Sequence, residues 1–283
     1  MKNISIITNQ SKDKDLVYTN RIKALLPKHC NVRVATVSED IYKVLKGADA
    51  AIVLGGDGTI LPCAAYSSEL GVPLLGINLG TLGFLTAVEK TETEYAVEKL
   101  LQGDFILDER RMLDAHVIRD GKIICTYTAL NDIVVSCSSF RRIISTDVYV
   151  GENFVGRYDG DGVIFSTPTG STGYNLSAGG PIVDTEVCAG VITPICPHTS
   201  FSTSIVIPLD KTVRVCLKDN FDKKCILTAD GQQGVELDSK DVLEIKASRK
   251  TTKLIKVHNR SFYELLSIKN ITIGKKKGEN DYE

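Results

Sequence analysis

The chain has 283 residues, 43% of them hydrophobic, with 23 glycines and 8 prolines, which fits a soluble globular protein of two domains and leaves disorder to the ends. Its 34 basic residues against 35 acidic ones give a formal charge of −1, so no global field recruits nucleic acid or an anionic membrane surface. Any anion must be held by a local site.

Residues 3–8 predict a buried strand, and Asp15 to Leu26 carries apolar side chains at helical spacing up to Pro27. Asn31 to Thr36 predicts a second strand, Ile41 to Lys46 a short helix closed by Gly47, and Ala50 to Leu54 a strand apolar on both faces. That strand runs into Gly55-Gly56-Asp57-Gly58-Thr59, followed by a helix over Thr59 to Leu70 with Pro62 near its start, where a missing amide costs little. Val72 to Ile77 predicts a fourth strand leading into a second glycine-rich turn, Asn78-Leu79-Gly80-Thr81-Leu82-Gly83-Phe84-Leu85. In an open parallel sheet the crevice lies beyond the strand C-termini, so the two turns are expected to face one pocket.

The alternation of strand and helix predicts a Rossmann-like doubly wound α/β domain over residues 1–106. From there to residue 258 the pattern is β-rich. Strand-length runs rich in Val, Ile, Thr and Tyr lie at Arg111 to Arg119, Lys122 to Leu130, Ile133 to Cys137, Ile143 to Val150, Gly162 to Ser166, Ser204 to Pro208, Thr212 to Leu217, Lys224 to Ala229 and Val242 to Ala247. They predict a β-sandwich-like domain, interrupted by a short helix within Gly170 to Ala178. Residues 259–283 read as an apolar segment, Phe262 to Lys269, returning to the first domain, and a frayed lysine-rich tail.

The eight cysteines are scattered and form no Cys-x-x-Cys, which argues for reduced thiols over a disulfide framework or a zinc site. No apolar run approaches the roughly 20 residues of a membrane span. The N-terminus shows no signal-peptide pattern, and the expectation is a cytoplasmic protein.

Two stretches carry the chemistry. Gly55, Gly56 and Gly58 lack a Cβ and let a phosphate approach backbone amides. Asp57 among them would either hold a metal against the phosphates or take a proton from a nucleophile, and both roles imply phosphoryl transfer. Turn geometry and capping alone are the plain alternative. The turn is neither a Walker loop nor Gly-x-Gly-x-x-Gly. The second stretch, Arg157 to Pro181, holds hydroxyls and amides for a sugar and base edges, Tyr174 for stacking and Asp161 for an amide or hydroxyl donor. An interdomain loop with Ser and Thr caps is its plain alternative. His198 lacks a partner acid or nucleophile in a motif, and no Gly-x-Ser-x-Gly elbow surrounds Ser171 or Ser177.

Gly55-Gly56-Asp57-Gly58-Thr59, Leu130-Asn131-Asp132, Asp161-Gly162, Ser166-Thr167-Pro168-Thr169-Gly170-Ser171-Thr172-Gly173-Tyr174 and Gly179-Gly180-Pro181 together resemble the ordered signature of the bacterial NAD kinases. The first motif is shared with phosphofructokinases and diacylglycerol kinases; the others are more specific, and the resemblance spans nearly the whole chain. It implies transfer of the γ-phosphoryl of ATP to the 2′-hydroxyl of the adenosine ribose of NAD, with a divalent ion, Mg²⁺ foremost. Asp57 would be the proton acceptor, and Gly55, Gly56 and Gly58 would line the phosphate pocket. Asn131 and Asp132 would contact the dinucleotide. Thr172, Gly173, Tyr174, Asn175, Leu176 and Ser177 would hold NAD, with Asp161 at its nicotinamide end and Arg142, Cys196 and Gln232 nearby. No residue is assigned as a metal ligand, which leaves open what protein groups hold the ion, and the resemblance implies a homodimer or homotetramer.

Three positions depart from the family pattern. Asp132 stands where many relatives have Glu, Gly173 where Ala is common, and Asp159 where relatives often carry Arg or Lys. Either Arg157 supplies that positive charge from a shifted position or the contact is missing. The alternatives to an NAD kinase are a lipid or sugar kinase with the same glycine turn, and a dinucleotide-sensing module without catalysis.

Overall fold

A computed structural model describes residues 1–86, 88–137, 143–198, 202–218, 225–232 and 234–269. Arg141 and Arg142 and the lysine-rich tail lie outside the described residues. In chain order the elements of the α/β part are β1 (Asn3–Thr8), α1 (Val17–Leu25), β2 (Asn31–Thr36), α2 (Ile41–Leu45), β3 (Ala50–Gly55), α3 (Asp57–Leu70), β4 (Leu74–Asn78), β5 (Val88–Glu89) and α4 (Thr93–Gln102). The β-rich part has β6 (Ile106–Arg119), β7 (Lys122–Ala129), β8 (Asp132–Cys137), β9 (Ile144–Val150), β10 (Asn153–Gly160), β11 (Gly162–Ser166), α5 (Tyr174–Ser177), β12 (Ala189–Ile195), β13 (Ile205–Pro208), β14 (Val213–Lys218), β15 (Cys225–Ala229), β16 (Val235–Leu237) and β17 (Val242–Lys256). Helix α6 (Phe262–Ile268) follows.

The chain divides into two compact units: Met1–Ile60 with Val72–Asp108 and Leu254–Glu283, and Leu61–Gly71 with Glu109–Lys253. In the first, the parallel order is β2-β1-β3-β4-β5. Every residue of β3 and β4 is buried, as expected for apolar strands covered on both faces. Ile6, Ile52, Leu75, Val97 and Ile255 share one core. Leu82, Phe84 and Leu265 of α6 form a smaller cluster beside the second glycine turn.

In the second unit two antiparallel sheets enclose a common core. One has the order β10-β9-β14-β17, with β6 joining β17 and β7; the other runs β13-β12-β11-β8-β15-β16. Val117, Val148, Val215 and Leu243 from the first meet Val135, Phe165, Ile192 and Leu227 from the second. An α/β domain and a β-rich domain are thus present as the patterning implies. Among the described residues no helix is long and apolar enough to cross a membrane.

Helix α3 begins at Asp57, two residues before its predicted start. Pro62 therefore lies in the second turn, where it removes the amide that would bond to the Gly58 carbonyl. Strands β10, β12 and β16 were absent from the sequence expectation, and β17 runs nine residues further, to Lys256.

Candidate active site

The first turn forms where β3 stops. A Cβ on Gly55 would lie 2.1 Å from Thr59 Oγ1, so only glycine fits under the buried threonine that receives Gly56 N–H at 3.3 Å. Asp57 opens α3, where its charge faces the positive end of the helix dipole, worth about 0.3–1 kcal/mol. Its carboxylate reaches the second glycine turn. Oδ2 accepts Phe84 N–H at 2.8 Å, and Oδ1 accepts Leu85 N–H at 3.0 Å, Thr86 N–H at 3.1 Å and Thr86 Oγ1 at 3.0 Å. Hydrogen bonds to an ionised group contribute about 1.5–3 kcal/mol each, so the two turns are pinned together through this one side chain. Gly83 makes room for it: a Cβ there would lie 1.8 Å from Asp57 Oδ1. Buried Asn78 braces the same turn, donating to Thr81 O and Thr86 Oγ1 and accepting Gly80 N–H. With three bonds on Oδ1 and one on Oδ2, the oxygen with remaining acceptor capacity is Oδ2.

The second unit carries the other candidates around the turn between β7 and β8. Asp230, in the left-handed region at φ 53°, accepts the amides of Leu130 at 2.8 Å, Asn131 at 2.6 Å and Asp132 at 3.2 Å. The run after β11 wraps the turn from the other side. Thr167 Oγ1 donates to Leu130 O at 2.6 Å and Thr167 N–H to Asn131 O at 2.8 Å. Gly170 passes so close that a Cβ would lie 2.1 Å from Asn131 O. The hydroxylated stretch is therefore a scaffold for the Asn131-Asp132 turn as well as a candidate ligand surface.

Asn131 Oδ1 is buried and has no hydrogen-bond partner, an arrangement that costs about 1–3 kcal/mol unless a ligand or water completes it. Asp132 is 5% exposed. Burial, and secondly the Asp230 charge, push its carboxyl up to about 7. Asp230 rises to about 6 through burial, opposed by the three amides it accepts. Tyr174 is half exposed on α5, with its phenol raised by burial and then by Cys196, Asp161 and Asp132, which places each of these three side chains within electrostatic range of the phenol. Cys196, at φ 43°, and Asp161 are both exposed.

Asn175 is fully buried, with Nδ2 donating to Ser171 O and Pro181 O and Oδ1 accepting from Thr193 Oγ1. Its amide shapes the loop under Thr172, Gly173, Leu176 and Ser177. Gln232 is exposed at the end of the turn made by Asp230 and Gly231, and its N–H bonds to Ala229 O. Arg157 lies opposite Asp147 in a two-point ion pair, Nε to Oδ1 at 2.7 Å and the terminal nitrogen to Oδ2 at 3.1 Å. That engagement argues against Arg157 as a displaced substitute for the basic residue missing at Asp159.

The ATP-NAD kinase N-terminal domain model matches residues 6–105, and the ATP-NAD kinase C-terminal domain model matches residues 130–257. The NAD kinase of Ruminiclostridium cellulolyticum is 40% identical over 279 residues, covering 95% of this chain and 98% of the relative. That of Natranaerobius thermophilus is 42% identical over 282 residues, with 95% and 98% covered. The chain belongs to the NAD kinase family. Two solved structures share the fold: yeast NADH kinase complexed with NADH, at TM-score 0.87 and 21% identity over 99% of this chain and 90% of that one, and an Archaeoglobus fulgidus NAD kinase in complex with ATP, at TM-score 0.77 and 24% identity over 95% and 100%.

Within this NAD kinase family member, the motif reading missed three groups that build the site. Thr86 and Gly83 form the Asp57 cradle, and Asp230 clamps the Asn131-Asp132 turn. The Gly83 signal was present in the second glycine-rich turn. The Asp230-Gly231 dipeptide reads as an ordinary turn, and its role depends on a partner about 100 residues away.

Proposed function

We propose that the chain transfers the γ-phosphoryl group of ATP to the 2′-hydroxyl of the adenosine ribose of NAD. The 2′-oxygen bonds to phosphorus, the bond from the γ-phosphorus to the bridging oxygen breaks, and ADP leaves as NADP forms. Asp57 Oδ2 receives the hydroxyl proton and aims the oxygen, while Gly55, Gly56 and Gly58 leave room for the phosphates. The observation that carries this reading is the fixed Asp57 carboxylate, with Oδ1 enclosed by three donors and Oδ2 keeping acceptor capacity. Such pre-positioning is what phosphoryl transfer chiefly requires of a protein.

The second unit supplies dinucleotide recognition. Asn131 Oδ1, buried and unpaired, suits a hydroxyl or amino donor of the ligand. Asp132 suits a ribose hydroxyl, Tyr174 a stacked ring, and Thr172, Gly173, Leu176, Ser177, Asp161, Cys196 and Gln232 the surrounding edges. Arg142 belongs to the same proposal as a positive charge. A divalent ion would supply counter-charge to the ATP phosphates. Among the described residues no group of three acidic, histidine or cysteine side chains is arranged to hold a metal, and the Asp57 carboxylate already accepts four bonds, so the donor set fits an ion carried by the nucleotide. A cytoplasmic location and a homodimer or homotetramer complete the reading; light scattering on the purified protein reads the latter.

Incubation of the pure protein with ATP, Mg²⁺ and, in parallel, NAD, diacylglycerol or fructose 6-phosphate tests the assignment. NADP is the expected product, and phosphorylation of a lipid or sugar instead would reassign the acceptor. Calorimetry showing NAD bound with no NADP formed would leave a sensing module.

A further inference from the structure

We propose that Lys12 binds a phosphoryl oxygen of the nucleotide donor over the two glycine turns, a deepening that rests on the phosphotransfer reading above. Sheet order supplies the first argument. The order β2-β1-β3-β4 places β2 and β3 on opposite sides of β1, so the chain leaves β1 and β3 in diverging directions at their C-terminal ends. Ligands of open α/β sheets bind at that switch point. Lys12 lies in the loop that follows β1, and Gly56 in the turn that follows β3.

Geometry supplies the second. A Cβ built on Gly56 would lie 3.1 Å from Lys12 Nζ, and one built on Gly80 would lie 3.7 Å from it. The ammonium therefore sits over both glycine turns, where a phosphate would have to enter. Gly56 and Gly80 leave that space open, and no carboxylate among the described residues lies within ion-pair distance of the ammonium. The nearby Asp57 carboxylate is turned towards residues 84–86 instead.

The loop is built to hold this position. Asn9 N–H bonds to Leu54 O at 3.0 Å, and Asn9 O accepts the amides of Lys12 at 2.9 Å and Asp13 at 3.0 Å. The neighbouring Asp13 is 1% exposed and accepts Thr8 Oγ1, Tyr18 N–H, Thr19 N–H and Thr19 Oγ1. Two residues further on, Asp15 and Leu16 both adopt φ 55°, a left-handed conformation that costs roughly 1–2 kcal/mol per residue outside glycine. Strain of this kind persists where surrounding contacts over-determine the loop, and it clusters at ligand clamps. A flexible solvated lysine would need none of this anchoring.

Phosphate could come from ATP or from the NAD pyrophosphate, and the experiment separates them. Lys12→Ala and Lys12→Arg are compared with the parent chain in steady-state NADP formation with ATP varied at saturating NAD, and in calorimetric titration with NAD. Loss of a cation from a phosphoryl-transfer site is expected to lower kcat/KM for ATP by about 10²–10³-fold in Lys12→Ala, with Lys12→Arg recovering most of it. NAD affinity stays within about twofold and the unfolding midpoint is unchanged, since Lys12 is exposed. Parent-like kcat/KM for ATP in Lys12→Ala would overturn the proposal. So would a loss confined to NAD affinity, or an Arg variant no better than Ala. If the parent chain makes no NADP, the phosphotransfer reading fails first, and calorimetry with ATP alone on the parent and Lys12→Ala proteins still decides: equal affinities overturn the Lys12 assignment and weaker binding by the variant supports it.

Discussion

Two strand-end turns in this chain are each held by an aspartate that accepts three backbone amides, and the two aspartates serve different ends. Asp57 reaches from the start of α3 to the amides of Phe84, Leu85 and Thr86. Asp230 reaches from the end of β15 to those of Leu130, Asn131 and Asp132. In the first turn Oδ2 accepts one amide and keeps acceptor capacity, so under the proposed function this clamp is also the reacting group. In the second both carboxylate oxygens are taken up by the amides, and under the proposed function the clamp presents other residues, Asn131 and Asp132, to the ligand. A carboxylate wrapped in amides is thus either tool or fixture, and what distinguishes them is whether an oxygen is left facing the ligand.

The largest expected effect is at the tool. Asp57→Ala removes proton acceptance and the cradle together, and kcat should fall by about 10³-fold or more. Asp57→Asn is more selective: its oxygen can keep the three donors at the Oδ1 position, while its NH₂ replaces the oxygen that accepted Phe84 N–H and cannot take a proton. Turnover is expected to collapse while NAD affinity, read by calorimetry, stays near the parent value.

Gly83→Ala probes the same cradle without touching the acid. The added methyl would lie 1.8 Å from Asp57 Oδ1, so the carboxylate must shift, and a misplacement near 1 Å costs about 10²-fold in kcat. Rates equal to the parent would show that Asp57 placement is not limiting.

At the fixture, Asp230→Asn loses part of the acceptor set for three amides and should destabilise the chain by about 1–3 kcal/mol in urea unfolding. NAD affinity is expected to weaken about tenfold as the Asn131-Asp132 turn loosens. A loss of kcat with NAD affinity intact would assign Asp230 to the tool class instead.

The smallest effect is a pH signature. Asp132 and Asp230 have native pKa values of about 7 and about 6, above their ordinary 3.8, so the native state holds protons that the unfolded chain has released. Their contribution to stability is full below about pH 4 and is lost as pH rises through 6 to 7, at no more than about 1.4 kcal/mol per pH unit for each proton. Asp132→Asn should flatten the fall in unfolding free energy between pH 5 and 8; an unchanged slope would remove Asp132 as its source.

Much of this was legible in the sequence. β3 stands out because Ala50 to Leu54 has no polar face, and the glycine density after it marks the tight turn into α3 that the structure places there. Other elements were masked by local chemistry. β12 was missed because it contains Pro194, which is tolerated in a strand only at an edge; the β12–β13 pairing stops at Ile192, so Pro194 lies beyond it. β10 was missed because a register shift between Phe154 and Gly156 breaks its alternation. Asp57 reads as turn, which hid that it opens the helix. Lys12 carries no motif: a lysine in a polar loop acquires meaning only when sheet order brings that loop to the glycine turns.

The central claim is that Asp57 Oδ2 receives the 2′-hydroxyl. A crystal structure with NAD and a non-hydrolysable ATP analogue tests it most directly. The account predicts the 2′-oxygen of the adenosine ribose within about 2.6–3.2 Å of Asp57 Oδ2, with the cradle from Phe84 to Thr86 intact. A ribose many ångströms from Asp57, or an Oδ2 turned away from it, would contradict the claim.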